Sequence, residues 1–268
     1  MKTMKWPLAM WLVRHDISEY NILKAQKEAD PLYQEFVLEY EKVRLLGRIT
    51  TTCRHLANQV MEKYALKTSD HDTNLEDPEA KRAQEVGAAL CQKHGDNEHP
   101  DVIFVSPYKR TKLTLHSLIR RWPSLAKVRV YEDERIREQE HGLASLYNDW
   151  RVFQVLHPEQ MVLYDLSGSY WYRYPQGENV PDVRERNRSW MSTVVRDFAH
   201  RRILVVTHHL NILALRANLE RWDAQKFIHI DHHEKPLNCG VTLYQGNPHV
   251  GNQGHLELSY YNKKLYTS

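Results

Sequence analysis

The chain has 268 residues, of which 41% are hydrophobic and 26% charged, and its formal net charge is +3. These values describe an ordinary globular protein of one large or two small domains. A balance this small, with Lys and Arg scattered among acids, excludes a nucleic-acid-binding stripe, and no apolar run reaches the roughly 18–20 residues that span a bilayer.

The first expected element is a strand over 8–13, the apolar run Leu8-Ala9-Met10-Trp11-Leu12-Val13. A short apolar run with few turn residues reads as a buried strand of an α/β sheet. Arg14 and His15 follow it directly, with no small-residue cleavage site, so the opening residues do not form a signal peptide. A long helical region follows. Leu32, Phe36, Val37, Tyr40, Val43 and Leu46 make one helical stripe, and Leu56, Val60, Met61 and Tyr64 make another. The two read as a helical pair joined near Gly47-Arg48-Ile49-Thr50. A helix is expected over 79–93, a strand over 102–105, a helix over 109–121 and a strand over 128–131. Ser106-Pro107 ends the second strand and is expected to start the next helix, with Pro near its first position and Arg110 in its first turn.

The segment 147–174 is dense in aromatics, contains Gly168 and shows little periodicity, so it reads as a loop-rich cap. Beyond it come a helix over 181–199, a strand over 203–206, a helix over 211–220 and strands near 241–244 and 255–260. Val183, Trp190, Met191, Val194 and Phe198 recur at helical spacing in the first of these helices. Thr207-His208-His209 stands at the end of the strand 203–206, repeating the placement of His15. Such alternation predicts an α/β fold with three layers, α/β/α, and a mainly parallel central sheet. No repeat or low-complexity linker divides the chain, so one domain over 1–268 is expected. Cys53, Cys91 and Cys239 are odd in number and lack close spacing, which excludes a disulfide framework or zinc ribbon and fits a reducing cytoplasm. His229, His232 and His233 read as a polar loop rather than a zinc site, because no paired acidic motif accompanies them.

Ligands of such sheets bind outside the carboxyl ends of the strands. Here those ends carry Arg14-His15, Ser106 to Thr111, and His208-His209. With these motifs the chain resembles the histidine phosphatase superfamily, also called the phosphoglycerate mutase-like family. The opening Arg-His-Gly-x-Ser-x-x-Asn appears as Arg14-His15-Asp16-Ile17-Ser18-Glu19-Tyr20-Asn21, and Ser-Pro-x-x-Arg-(Thr/Ala) as Ser106 to Thr111. Glu-x-x-x-Gly appears as Glu138 to Gly142, Pro-x-Gly-Glu-Ser as Pro175 to Asn179 followed by Asp182 and Arg186, and the late His-Gly as His208-His209. The stretches Arg135 to Gly142 and Tyr172 to Pro175 look most like a phosphatase branch of plants and fungi.

The resemblance implies a metal-independent phosphomonoester phosphatase with no cofactor, acting on a phosphorylated small molecule. His15 would be the nucleophile, forming a phosphohistidine. Arg14 and Arg110 would clamp the phosphoryl oxygens, and His208, if protonated, would donate a further bond. Glu138 would be the acid/base, with Glu140 a near alternative and substrate contact. Arg186 would also meet substrate, and Asn21 would meet phosphate or else cap a turn. A phosphoglycerate mutase and a phospho-ligand binder without turnover are the alternatives. The segment 22–72 is longer than the family usually carries there and reads as a helical insertion, packed on the body rather than forming a lid. Asp16 and His209 stand where the family has Gly. Because the two histidine-bearing strands are neighbours in the family, Asp16 and His209 are expected to pair, which would offset repulsion between Asp16 and a phosphate dianion. Neither a membrane nor a nucleic-acid partner is implied, and the sequence specifies no oligomeric state.

Overall fold

Strand β1 (Ala9–Arg14) forms because its apolar side chains can be buried on both faces. Met10 and Leu12 enter one core, while Trp11 and Val13 enter another on the opposite face. Full burial of side chains of this size is worth about 1.5–3 kcal/mol each. The computed structural model describes residues 4–95 and 97–267; residues 1–3 of the opening segment read against a signal peptide lie outside the described residues.

The other strands are β2 (Val102–Val105), β3 (Arg129–Glu132), β4 (Arg202–Thr207), β5 (Val241–Asn247) and β6 (His255–Lys263). They form one sheet in the order β3-β2-β4-β1-β5-β6. The ladders β3–β2, β2–β4 and β4–β1 are parallel, whereas β1–β5 and β5–β6 are antiparallel. Register is tight where the histidines emerge: Val13 lies opposite Val206 and Arg14 opposite Thr207. Helices Lys81–His94 and Lys109–Arg121 cover one face through Ala83, Val86, Leu90, Leu115 and Leu118. Helices Val180–Asp197 and His209–Leu219 cover the other through Trp190, Val194, Ile212 and Leu215. The fold is therefore the expected α/β/α sandwich. A Cβ on Gly87 would lie 2.5 Å from the Leu118 carbonyl oxygen, so only glycine permits the approach of the first two helices.

The chain divides into two compact units. One, the sheet unit, comprises Met1–Ser18, His71–Glu138 and Asp182–Ser268; the other, the helical unit, comprises Glu19–Asp70 and Gln139–Pro181. The segments expected to be inserted, 22–72 and 147–174, fall for the most part in the helical unit. There the expected helical pair is Pro31–Leu46 and Thr51–Tyr64, preceded by a helix Glu19–Ala29. Asp30 and Thr50 cap the pair, and Gly47, with φ +67°, ends the first member. Their core holds Phe36, Tyr40, Val43, Cys53 and Val60. Leu46, placed in the apolar stripe by its spacing, is instead exposed.

Two expectations are corrected. The segment 147–174 is not loop-rich: it contains helices Trp150–Leu156 and Pro158–Trp171. Asp149 caps the first, Pro158 opens the second, and a non-helical Gly168 interrupts the latter and hides its period. The histidine run is not a loop either. It ends the helix Ala224–His233, capped by Asp223, whose apolar side is Phe227 and Ile230. Among the described residues no helix is long and apolar enough to cross a membrane.

Candidate active site

The carboxyl ends of β1, β2 and β4 meet in one place because the three strands are parallel and adjacent. The backbone N–H of His15 donates to Thr207 O at 2.9 Å, and that of Ser106 to Val206 O at 3.1 Å. Each motif residue thus leaves its strand in register with the next. The rings of His15 and His208 stand edge to face with centroids 5.2 Å apart.

His15 is buried, and its Nδ1 lies 2.6 Å from the Asp16 carbonyl oxygen. A carbonyl only accepts, so Nδ1 carries the proton and Nε2 carries the lone pair. Arg110 Nε–H donates to that Nε2 at 3.2 Å. Burial, followed by the charges of Arg110 and Arg14, holds the His15 imidazole well below its ordinary pKa. It is a neutral ring with a lone pair among fixed cations.

Arg110 is itself buried in the first turn of its helix, with its guanidinium 4.8 Å from the Tyr108 ring centroid. The helix runs Lys109–Arg121, the expected span, with Tyr108 as its cap, so Pro107 precedes the helix rather than occupying its first position. Ser106 serves the site instead: its Oγ lies 2.7 Å from His208 Nε2. His208 Nδ1 is buried with no hydrogen-bond partner among the described residues. Burial first, then Arg110, His15 and Arg14, hold the His208 pKa well below its ordinary value. The condition attached to His208, protonation, is thus disfavoured by its surroundings.

Arg14 donates through Nη1 to Pro236 O at 2.7 Å, while its buried Nε has no partner among the described residues. Burial lowers its pKa, opposed first by the nearby charge of Glu138. The segment carrying Glu138 is tied to the end of β4. Thr207 Oγ1 donates to Ile136 O at 2.6 Å, and Asn211 Nδ2 donates to Arg137 O at 3.4 Å. Arg186 donates to the carbonyls of Arg135 at 2.8 Å and Glu138 at 3.0 Å.

Six of the expected residues, Arg14, His15, Arg110, Glu138, Arg186 and His208, belong to the sheet unit. Asn21 and Glu140 belong to the helical unit. Glu140 O accepts from Glu178 N at 2.8 Å, and Glu140 N donates to the Glu178 carboxylate at 3.0 Å. A Cβ on Gly142 would lie 2.1 Å from Pro175 O, and one on Gly177 would lie 2.5 Å from Glu140 O. The Glu-x-x-x-Gly and Pro-x-Gly-Glu motifs are therefore two strands of chain in backbone contact.

The expected pairing of Asp16 with His209 is not present. His209 Nε2 lies 2.8 Å from an Asp231 carboxylate oxygen, supplied by the helix Ala224–His233. Asp16 points to the other side of β1, where Ile17 N and Ala83 N donate to its carboxylate. The neighbouring strands place the two backbones near each other, but each side chain has a closer partner of its own. The rings of His229 and His233 stand 4.7 Å apart, yet among the described residues no three potential ligands converge on a metal position.

The sequence reading missed Ser106 as a partner of His208, Thr114 and Asn238 as partners of the Asp16 backbone, and the Asn187–Asn211 pair. Asn211 Nδ2 donates to Asn187 Oδ1 at 3.0 Å, and Thr207 Oγ1 to Asn211 Oδ1 at 3.0 Å. A signal for the pair existed. Asn187 interrupts the stripe Val183, Trp190, Val194, and Asn211 directly precedes the apolar run Ile212 to Leu215 of its helix. Polar residues on a buried face must find partners.

The fold is thus an α/β/α sandwich with His15, His208, Arg14 and Arg110 at the ends of adjacent strands. The sequence model of the histidine phosphatase superfamily (branch 1) matches residues 54–252, and the chain belongs to that superfamily. The match starts within the helix Thr51–Tyr64, so Arg14 and His15 precede it. The chain is 29% identical over 174 residues to phosphoglycerate mutase-like protein AT74 of Arabidopsis thaliana, covering 60% of this chain and 53% of that protein. It is 27% identical over 159 residues to phosphoserine phosphatase 1 of Hydrogenobacter thermophilus, covering 57% of this chain and 70% of that protein. The chain thus spans about half the length of the first of these relatives. Among solved structures, the mycobacterial glucosyl-3-phosphoglycerate phosphatase bound to inorganic phosphate superposes with a TM-score of 0.58 at 18% identity, over 97% of this chain and 99% of that one. The alpha-ribazole phosphatase of Shigella flexneri gives 0.61 at 15% identity, over 96% of each chain. At these identities the likeness is one of fold.

Proposed function

We propose that the protein is a metal-independent phosphomonoester phosphatase that works through a phosphohistidine at His15. The observation that carries this reading is the state of that ring. Its Nδ1 proton is engaged by the Asp16 carbonyl at 2.6 Å, and its Nε2 lone pair faces the Arg110 guanidinium.

In the first step His15 Nε2 attacks phosphorus and the ester P–O bond breaks. The bonding pair leaves with the alkoxide oxygen, which takes a proton from Glu138. Arg110 turns its donors from Nε2 to the phosphoryl oxygens, and Arg14 uses the Nε–H that has no protein partner. Guanidinium suits this task because it is planar, permanently charged and bidentate. His208 contributes Nδ1–H while neutral, since Nε2 is satisfied by the Ser106 hydroxyl. In the second step Glu138 takes a proton from water, the oxygen attacks phosphorus, and the P–N bond breaks to return the lone pair to Nε2. The fixed cations meet charge as it develops, which is the preorganised electrostatic stabilisation that lowers such barriers. Arg186 supports the Glu138 backbone in this reading rather than touching substrate. The steps use residues of the sheet unit alone; Asn21 and Glu140 carry none of them.

The relatives named as phosphatases and the superfamily match support a phosphorylated small molecule as substrate. Cys53, Cys91 and Cys239 are free thiols, which supports a reducing compartment.

The test is phosphate release from an aryl phosphate, with and without chelator, beside a His15→Ala variant. Release should resist chelator and fall by about 10⁴-fold or more in the variant, as expected on removing a nucleophile. Chelator-sensitive release would overturn metal independence. Isomerisation of a phosphoglycerate without free phosphate would make the protein a mutase. Inactivity of the wild type against a panel that includes phosphoglycerates would make it a binding protein.

A further inference from the structure

We propose that Asp16 is a positioning residue for His15: its carboxylate accepts from the first turn of the helix Lys81–His94, and so holds still the backbone carbonyl that fixes the His15 tautomer. The inference rests on the reading of His15 as nucleophile.

The helix Lys81–His94 begins badly. Its cap position is Ala80, in a left-handed conformation with φ 47° and without a capping side chain; Asp77 Oδ2 accepts from Lys81 N at 3.2 Å, and Ala83 N lies beyond it in the first turn. The first amides of a helix need acceptors from elsewhere when buried. Asp16, only 4% exposed, supplies one across the fold: Oδ2 accepts from Ala83 N at 3.3 Å. Its Oδ1 accepts from Ile17 N at 2.8 Å and lies 3.8 Å from Arg82 Nη1. The buried Cys239 thiol also hydrogen-bonds to the carboxylate, and burial together with Asp16 keeps that thiol protonated. The Asp16 carboxylate thus points to the side of the strand where these donors and Arg82 lie.

The same residue is held at its backbone. Asp16 N donates to Thr114 Oγ1 at 2.9 Å, and Thr114 Oγ1 donates to Arg110 O at 2.7 Å. The Asp16 carbonyl accepts from His15 Nδ1 at 2.6 Å and from Asn238 Nδ2 at 3.3 Å. Side chain, N–H and carbonyl are thus fastened to three different elements. The orientation of a ring that must present Nε2 to phosphorus depends on the carbonyl plane, and a misplacement near 1 Å can cost about 10²-fold in rate. Where the family has glycine, this chain has made the same backbone position depend on a side chain.

The test compares Asp16→Ala, Asp16→Glu and Asp16→Asn. Imidazole ¹⁵N shifts report the His15 tautomer, and kcat and KM are measured per folded molecule on an aryl phosphate. Asp16→Ala should mix the tautomers and lower kcat about 10- to 100-fold with KM changed little. Asp16→Asn, which keeps an acceptor for Ala83 N, should rescue both readouts. Should Asp16→Ala fail to fold, Asp16→Glu keeps the charge, displaces the carboxylate by one methylene and should show the same two defects. Variants that lose thermal stability while keeping the wild-type tautomer and kcat would overturn the proposal, leaving Asp16 a structural cap. The tautomer readout needs no turnover. An inactive wild type whose tautomer still shifts in Asp16→Ala would refute the phosphatase reading and keep the positioning role.

Discussion

The strand ends of the sheet unit and the core of the helical unit handle buried charge in different ways. At the strand ends of the sheet unit, two arginines and two histidines gather, with the charge of Glu138 acting on Arg14. Arg14, Arg110, His15 and His208 crowd the strand ends, and both histidines are driven neutral to make this tolerable. In the helical unit the buried charges are paired. Lys27 donates to Asp149 at 2.7 Å and to the Asn148 carbonyl at 2.6 Å, and Tyr33 donates to the same carboxylate at 2.6 Å. Burial pushes the Asp149 pKa up, but Lys27, Tyr33 and the Arg151 amide outweigh it and hold the carboxyl below its usual range. On the proposed reading the cations at the strand ends are what would meet a phosphoryl group, whereas the paired charges around Asp149 serve packing.

The largest expected effect tests the strand ends. Arg110→Lys keeps the charge but loses the planar fork and the Nε–H that meets His15. It should lower kcat/KM on an aryl phosphate by about 10²- to 10³-fold, the usual consequence of losing one preorganised donor. Activity within a few fold of wild type would mean that charge alone suffices there. The paired charges predict a stability effect. Asp149→Ala removes one partner of a buried pair and the cap of the helix Trp150–Leu156, leaving the buried Lys27 ammonium without its carboxylate and with the Asn148 carbonyl as acceptor. It should cost about 3–5 kcal/mol of unfolding free energy, read from the denaturant midpoint. A change below about 1 kcal/mol would show that Lys27 finds water or another acceptor. Two separate transitions in that variant would show that the units unfold independently.

How far the sequence could reach also differs between the units. In the sheet unit, apolar runs locate β1, β2 and β4 to within a residue or two, because both faces of each strand are buried and alternation is replaced by continuous hydrophobicity. The placement of Arg14, His15 and His208 at the strand ends is legible for the same reason, since they follow those runs directly. The partners that tune the site were not. Ser106, Thr114, Asn187, Asn211 and Asn238 act through contacts separated by tens to hundreds of residues, which no local pattern encodes. In the helical unit, the stripe through Phe36, Tyr40 and Val43 gave away its helix. The helices of 147–174 were hidden by aromatic residues of modest helix propensity and by the break at Gly168. The pairing assigned to Asp16 failed because strand adjacency constrains backbones, while side chains alternate between faces.

The smallest effect is the pH response, and it separates the units most finely. His15, His208 and His94 of the sheet unit all have pKa values lowered chiefly by burial, with Arg110 next for the first two. An unfolded imidazole takes up its proton near pH 6.5. With the folded value depressed, the unfolded chain binds more protons below that point. The stabilising contribution is therefore complete above about pH 6.5 and is lost as pH falls from there through the folded values. The depressed Asp149 carboxyl of the helical unit has the same sign but a lower window: its contribution is complete above about pH 3.9 and is lost below. Amide hydrogen exchange, corrected for its intrinsic pH dependence, should show β1 and β4 losing protection between pH 6.5 and 5, while Pro31–Leu46 holds until the carboxylate range. Equal loss in both over the higher window would mean that the chain opens as one cooperative body, and the contrast between the units would then be one of chemistry alone.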